Sequence, residues 1–485
     1  MAVFAALLLA GSAGIGVVSA DPRDVDEHVR LETGTIMDFD GGGDYVALNM
    51  TTNGTLAFFG VVYGTEEHPN HVFLVSLYVK YLGGADVVDA NGGHLGTYPI
   101  PVLSAHLQGL GFLVEFNDTG YFGPEGRIGG GNGLFDFTRS GSGIEDLNLT
   151  ATEPVYKALD LKRAWQRSDI QEIATGAEHR KEWTFSLYAE NLTYGAIWDN
   201  GMESPPGGPR PGTAADGVVE RVEFTFHVGV DITETNVQVP WYRVTVGKDA
   251  EGIIDSQADG TRLYKGVGVD SSFKYDHLIE GWDFTAKSDS SRLMLETFVG
   301  FGTFVPDIVQ RFINAQFGTG YLDTFTIAQL ETHTGGAQEI TTTDDLPPEA
   351  DLVTKDSIEF RDPFRKTGEM SWVSDVEVDG RRDSMVFQVH ASEADFDQRV
   401  PGDDGAFHGA VLVGGYIYPA GTTIFHDPTF TASAVIVDLP AGLGAAVVTV
   451  LIIAAVSILS VFVTLGAVAY SLRRRERFAP NFRTF

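Results

Sequence analysis

Asp38, Asp40 and Asp44 stand around a run of three glycines, and Asp395, Asp397 and Asp403 stand in a second acidic stretch. Carboxylates spaced this way in turns are oxygen donors suited to Ca2+, which takes roughly six to eight hard ligands in adaptable geometry. Neither stretch follows the EF-hand order, so these six residues are calcium candidates, weighed against solvated acidic turns. Calcium is the one cofactor the sequence suggests. The segment Glu66-Glu-His68-Pro-Asn-His71 gathers two imidazoles and two carboxylates, a set that zinc or copper could use. Pro69 prevents the helix that would bring His68 and His71 onto one side, so a solvated loop between strands is expected. Nucleophile-elbow, zinc-protease and phosphate-loop motifs are absent, and nothing in the sequence argues for an enzyme.

Five Asn-x-Thr triplets, at Asn49, Asn53, Asn117, Asn148 and Asn191, are glycan acceptors if they lie outside the cell. All precede residue 195. Phe298-Val-Gly-Phe-Gly-Thr-Phe-Val-Pro306 combines apolar and Gly-rich character, which suits either a membrane-inserting loop or a buried strand. The neighbours Leu293, Met294 and Leu295 favour the strand. Tyr275 to Phe284 is dense in aromatic and acidic residues and reads as a Trp-centred strand and turn rather than a ligand groove.

The 485 residues carry 33 basic and 66 acidic side chains, a formal charge of -33, which excludes an electrostatic grip on nucleic acid. With no cysteine, disulfide scaffolds, thiolate metal sites and cysteine nucleophiles are excluded together. The acids are dispersed, and Lys is outnumbered by Arg. At 43% hydrophobic and 11% aromatic the chain must nevertheless fold. An acidic, Lys-poor surface of this kind suits molar salt, where the screening length falls to about 3 Å.

Both ends are apolar. Residues 1–20 lack charge and end in Val18-Ser-Ala20, which reads as a signal peptide cleaved after Ala20. Ala441 to Leu472 is uncharged and exceeds the roughly 20 residues a helix needs to cross a bilayer, so a transmembrane helix is expected over 443–472. Arg473-Arg-Arg-Glu-Arg477 follows, which places a basic tail, 473–485, in the cytoplasm and residues 21–440 outside. The layout resembles that of haloarchaeal surface glycoproteins in composition and topology. It implies a single-pass protein of the cell membrane that is glycosylated and structural or binding in role. Its expected partners are the lipid bilayer and neighbouring membrane or surface-layer proteins. A viral or mobile-element spike that fuses membranes, and an anchored extracellular enzyme, are the alternatives.

Positioning falls to strands. Val222, Phe224, Phe226, Val228, Val230 and Ile232 alternate with polar residues, the period of a half-buried antiparallel strand, and Trp183, Phe185, Leu187 and Ala189 repeat it. The fold class expected is mainly β, with antiparallel sandwich-like domains and one or two short helices. One helix is expected near 154–173, from Val155, Leu159, Trp165, Ile170 and Ile173. The other is expected at 306–317, from Ile308, Val309, Phe312 and Ile313. Turn-rich stretches divide the exported part into 21–150, 151–345 and 346–440, while the Pro/Gly run at 204–212 reads as an excursion within a hairpin.

Overall fold

The structure is a computed structural model that describes residues 29–36, 42–52, 55–118, 121–123, 126–128, 133–135, 137–140, 148–151, 153, 155–195, 215–247, 253–285, 289–317, 327–332, 336–340, 352–361, 366–399 and 405–437. The expected signal peptide, membrane span and tail lie outside these residues. Among the described residues no helix is long and apolar enough to cross a membrane.

The chain is mainly β. It opens with β1 (Val29–Ile36), β2 (Gly43–Thr52), β3 (Thr55–Tyr63), β4 (Val72–Asp89) and β5 (His94–Asn117). Short strands follow: β6 (Tyr121–Gly123), β7 (Gly126–Ile128), β8 (Phe137–Ser140), β9 (Asn148–Ala151), β10 (Val155–Asp160), β11 (Gln166–Arg167) and β12 (Gln171–Ile173). The long strands β13 (Arg180–Thr193), β14 (Val218–Val246), β15 (Ile253–Glu280) and β16 (Ser291–Pro306) lead into the helix α1 (Asp307–Phe317). Beyond it come β17 (Ile327–Thr332), β18 (Gly336–Ile340), β19 (Leu352–Arg361), β20 (Lys366–Ser371), β21 (Asp375–Val378) and β22 (Arg381–Ser384). The last strands are β23 (Val386–Arg399), β24 (Gly405–Pro419), β25 (Thr423–His426) and β26 (Thr429–Val437).

Among the described residues, twenty-two strands belong to one hydrogen-bonded system. Antiparallel ladders run β1–β2–β3–β4–β5–β16–β24–β23 on one side. On the other side they run β13–β14–β15, with β25 and β26 both beside β15. The alternation read in 183–189 and 222–232 is an antiparallel pair, Phe185 opposite Phe226 and Leu187 opposite Phe224. The Pro/Gly run 204–212 falls between these two paired strands, outside the described residues. Side chains of the two sets of strands meet in a common core that includes Leu48, Phe59, Leu113 and Leu293 from the first and Phe185, Phe224, Phe226 and Tyr275 from the second. Ladders cross both turn-rich stretches near 150 and 345: β5 pairs with β16, and β15 with β26.

The hairpins β4–β5 and β14–β15 extend beyond this core, joined by a parallel ladder from Gly84/Trp241 to Asp89/Val246. There a smaller core gathers Leu82, Ile100, Val102, Tyr242 and Val244 under the α1 residues Val309, Phe312 and Ile313. The helix expected at 306–317 is thus present, its apolar face closing this distal module.

The helix expected near 154–173 is not formed. Val155–Asp160 is β10, buried on both faces and paired with β5. Burial on both faces removes the alternation that marks a strand, which is why the apolar spacing mimicked a helix. Beyond it, Trp165 is buried and donates from Nε1 to the Asn70 carbonyl at 3.2 Å, while Ile173 is exposed on β12.

Candidate functional site

Among the described residues the sequence-level candidates form no metal-holding group. Asp44 is half-buried on β2, where its Oδ1 accepts a hydrogen bond from Thr35 Oγ1 at 2.7 Å. Asp38, Asp40 and Asp403 lie outside the described residues, and Asp395 and Asp397 stand in β23 rather than in a turn. Among the described residues no three His, Cys, Asp or Glu side chains group to hold an ion. The Glu66–His71 segment splits instead of closing on a metal. Its glutamates are exposed, while His71 is buried against Phe73 and Phe112, with Nε2 3.2 Å from Asp160 Oδ1.

Among the glycan acceptors, Asn49 is buried on β2, and its Nδ2 donates to Glu32 Oε2 at 3.4 Å. Asn117 Oδ1 accepts from Ser290 Oγ at 2.6 Å at the end of β5. Asn148 opens β9, and Asn53 is outside the described residues. Asn191 is exposed on β13 with a left-handed backbone, φ 54°. The 298–306 segment is the middle of the sheet, flanked by β5 and β24, with Val299, Phe301, Phe304 and Val305 buried.

The polar chemistry of the interior gathers elsewhere. Residues two apart on a strand share a face, so Tyr275 and His277 of β15, and Tyr416 and Tyr418 of β24, point into the same core. His426 joins them from β25 and Gln108 from β5, and all six are buried. The Gln108 amide nitrogen donates to Tyr275 Oη at 2.6 Å, and Tyr275 and Tyr416 hydroxyls lie 3.2 Å apart. His277 Nε2 lies 2.5 Å from Tyr418 Oη, which lies 3.3 Å from His426 Nδ1. His426 Nε2 is 2.8 Å from the Val373 carbonyl.

These contacts fix the proton positions. A carbonyl only accepts, so His426 carries its proton on Nε2 and presents a bare Nδ1. Tyr418 must then donate to that nitrogen, and its oxygen accepts from His277 Nε2. Both rings are neutral, with the protons aligned in one direction from His277 to Val373. His277 Nδ1 is left buried with no hydrogen-bond partner. Burial drives the His277 pKa well below its usual value, and the neighbouring His426 adds to the effect. Burial likewise takes His426 down to about 4, against the opposing pull of the Val373 carbonyl and of Asp427 and Asp276. The three phenols are raised, chiefly by desolvation. Such a row can hold protons in order and can respond to acid.

A second buried set lies at the base of β5 and β10. Glu115 accepts from Trp282 Nε1 at 3.2 Å and from the Thr285 amide at 2.7 Å. Lys157 hydrogen-bonds the Asp283 carbonyl and sits 4.9 Å from the centre of the Tyr194 ring. Desolvation raises the Glu115 pKa, while the Thr285 amide, the Lys157 charge and Trp282 oppose it. The Trp282 turn read from the sequence is therefore a packed, internally bonded corner. No protein-family model matches the chain, and no curated protein sequence is significantly similar to it.

Proposed function

We infer that the chain is a membrane-anchored surface protein whose folded part builds or binds at the outer face of a halophile's cell, with glycans on its exposed acceptors. The observation that carries this reading is that the interior polar groups most apt for chemistry are bonded to one another. Tyr275, His277, Tyr416, Tyr418 and His426 are buried and link strands across the core, as cross-braces would. The central position of 298–306 in the sheet weighs against its serving as an inserting loop of a fusion spike. The uncharged run from Ala441 and the Arg cluster behind it supply the anchor.

Topology is the direct test. Protease added to intact cells or right-side-out vesicles should digest the folded part and spare a membrane-protected fragment carrying an epitope placed after Phe485. Detection of that epitope from outside would reverse the orientation and overturn the reading.

A further inference from the structure

The direction in which the described chain ends bears on how the protein lies. β26 runs antiparallel to β15, from Thr429 beside Lys274 to Val437 beside Gly266, and so heads toward the tips of both long hairpins. Beyond Gly266, β15 continues thirteen residues to Ile253, about 43 Å at roughly 3.3 Å per residue. From Val437 to Leu443, where the expected span begins, the chain can reach only about 21 Å. An upright molecule with its tips toward lipid would bury Asp255 to about 15 Å and Asp86 and Arg243 to about 9 Å, which their charges oppose. A tip-ward exit therefore allows the hairpins to dip toward the membrane plane by no more than roughly 30°, an orientation nearer flat than upright.

One face of the distal module is chemically fit for that position. Tyr98 pairs with Ala85, and Ala85 with Tyr242, so the three share a face across β5, β4 and β14. Tyr242 packs against Phe312 and Phe317, placing α1 on that face too. Tyr98 is 51% exposed and Phe317 41%, and the partly buried Val87, Val246 and Ile253 extend the apolar surface toward the tips. Past Asp307 in its first turn, α1 carries one charged residue, Arg311, unusual in a chain of net charge -33. Asp89, at the rim, is held by the turn amides of Asn91 and Gly93. The opposite face is charged, with Asp86 bridged to Arg262 over the Trp241 ring. An anionic bilayer repels acids and accepts an Arg, amides and aromatic rings at its interface.

We propose that the α1 face of the distal module rests on the lipid surface of the membrane that the 443–472 segment enters, with Tyr98 and Phe317 as its apolar contacts. This rests on reading that segment as a span. The absence of cysteine permits a clean test. Full-length chains carrying Tyr98→Cys, Ala315→Cys or Asp255→Cys, each labelled with nitrobenzoxadiazole, are reconstituted in mixed phosphatidylcholine and phosphatidylglycerol vesicles. The vesicles contain a headgroup-level spin-labelled lipid. Labels at 98 and 315 should lose most of their emission to the quencher, and the label at 255, on the charged face, should keep it. Chains that stay in the vesicles through an alkaline wash but show equal quenching, or none, at the three positions would overturn the docking alone. Chains that wash off would overturn the span and the docking together.

Discussion

Acid should loosen the core through His277 and His426. In the unfolded chain each ring titrates near 6.5, whereas the folded His426 titrates near 4. Between those values the unfolded state holds more protons, so stability falls as pH falls through this window and is complete above it. The gap of about 2.5 pH units, at roughly 1.36 kcal/mol each, makes about 3 kcal/mol for His426. His277 is shifted in the same direction and adds to it. Glu115 works with the opposite sign: its raised pKa means that folding favours the protonated acid, so it gains stability on acidification. The comparison that isolates the rings is wild type against His277→Phe/His426→Phe. The double variant starts less stable at pH 7, by about 1–3 kcal/mol, because the Val373 carbonyl and Tyr418 hydroxyl lose partners. Urea midpoints of the full chain in detergent and molar KCl, followed by Trp emission from pH 7 to 4, give both curves. The wild-type curve should drop by at least the His426 amount relative to the variant. Parallel curves would refute the argument, since they would mean that the folded rings titrate as they do in the unfolded chain.

Lowering salt from molar to about 0.1 M lengthens the screening distance from about 3 to 10 Å. The acidic surface should then lose stability, and an unchanged unfolding midpoint would remove the basis for the halophile reading. Asn191→Gln should shift the mass of the native protein by one glycan, whereas Asn49→Gln should not, because Asn49 is buried and bonded to Glu32; intact mass spectrometry decides. Gly64→Ala should destabilise strongly, by about 2 kcal/mol or more, because the added methyl would fall 2.0 Å from the Asn70 amide nitrogen and 2.1 Å from the Arg163 carbonyl oxygen. A midpoint within error of wild type would show that the loop yields without cost.

What could be read in one dimension depended on how many faces of a strand are wet. The six apolar residues from Val222 to Ile232 announced β14 because their intervening neighbours touch solvent. β10 was not legible, since Val155–Leu159 is covered on both sides. The buried polar row had only a faint sequence signal, the Tyr275/His277 and Tyr416/Tyr418 spacing of two. Nothing local says that these pairs face each other across 141 positions of chain, because strand pairing decides it. Asn49 shows the converse limit, a motif whose accessibility is set by β1 and β3 on either side.

The order in which strands find their partners also governs how the molecule is made. β5 is flanked by β16, the Ser104 and Thr303 hydroxyls meeting across 199 positions, and the Phe135 amide bonds Gln388 across 253. β15 waits for β25 and β26 at the end of the described chain. Contacts this distant close large loops before they return any stabilisation, which makes folding slow and leaves open strand edges on the partly made chain. An emerging polypeptide with β16 complete but β24 not yet available presents an apolar edge that another copy could pair with. Pairing with β24 removes that edge, so the interval before β24 is available is the one in which copies can associate.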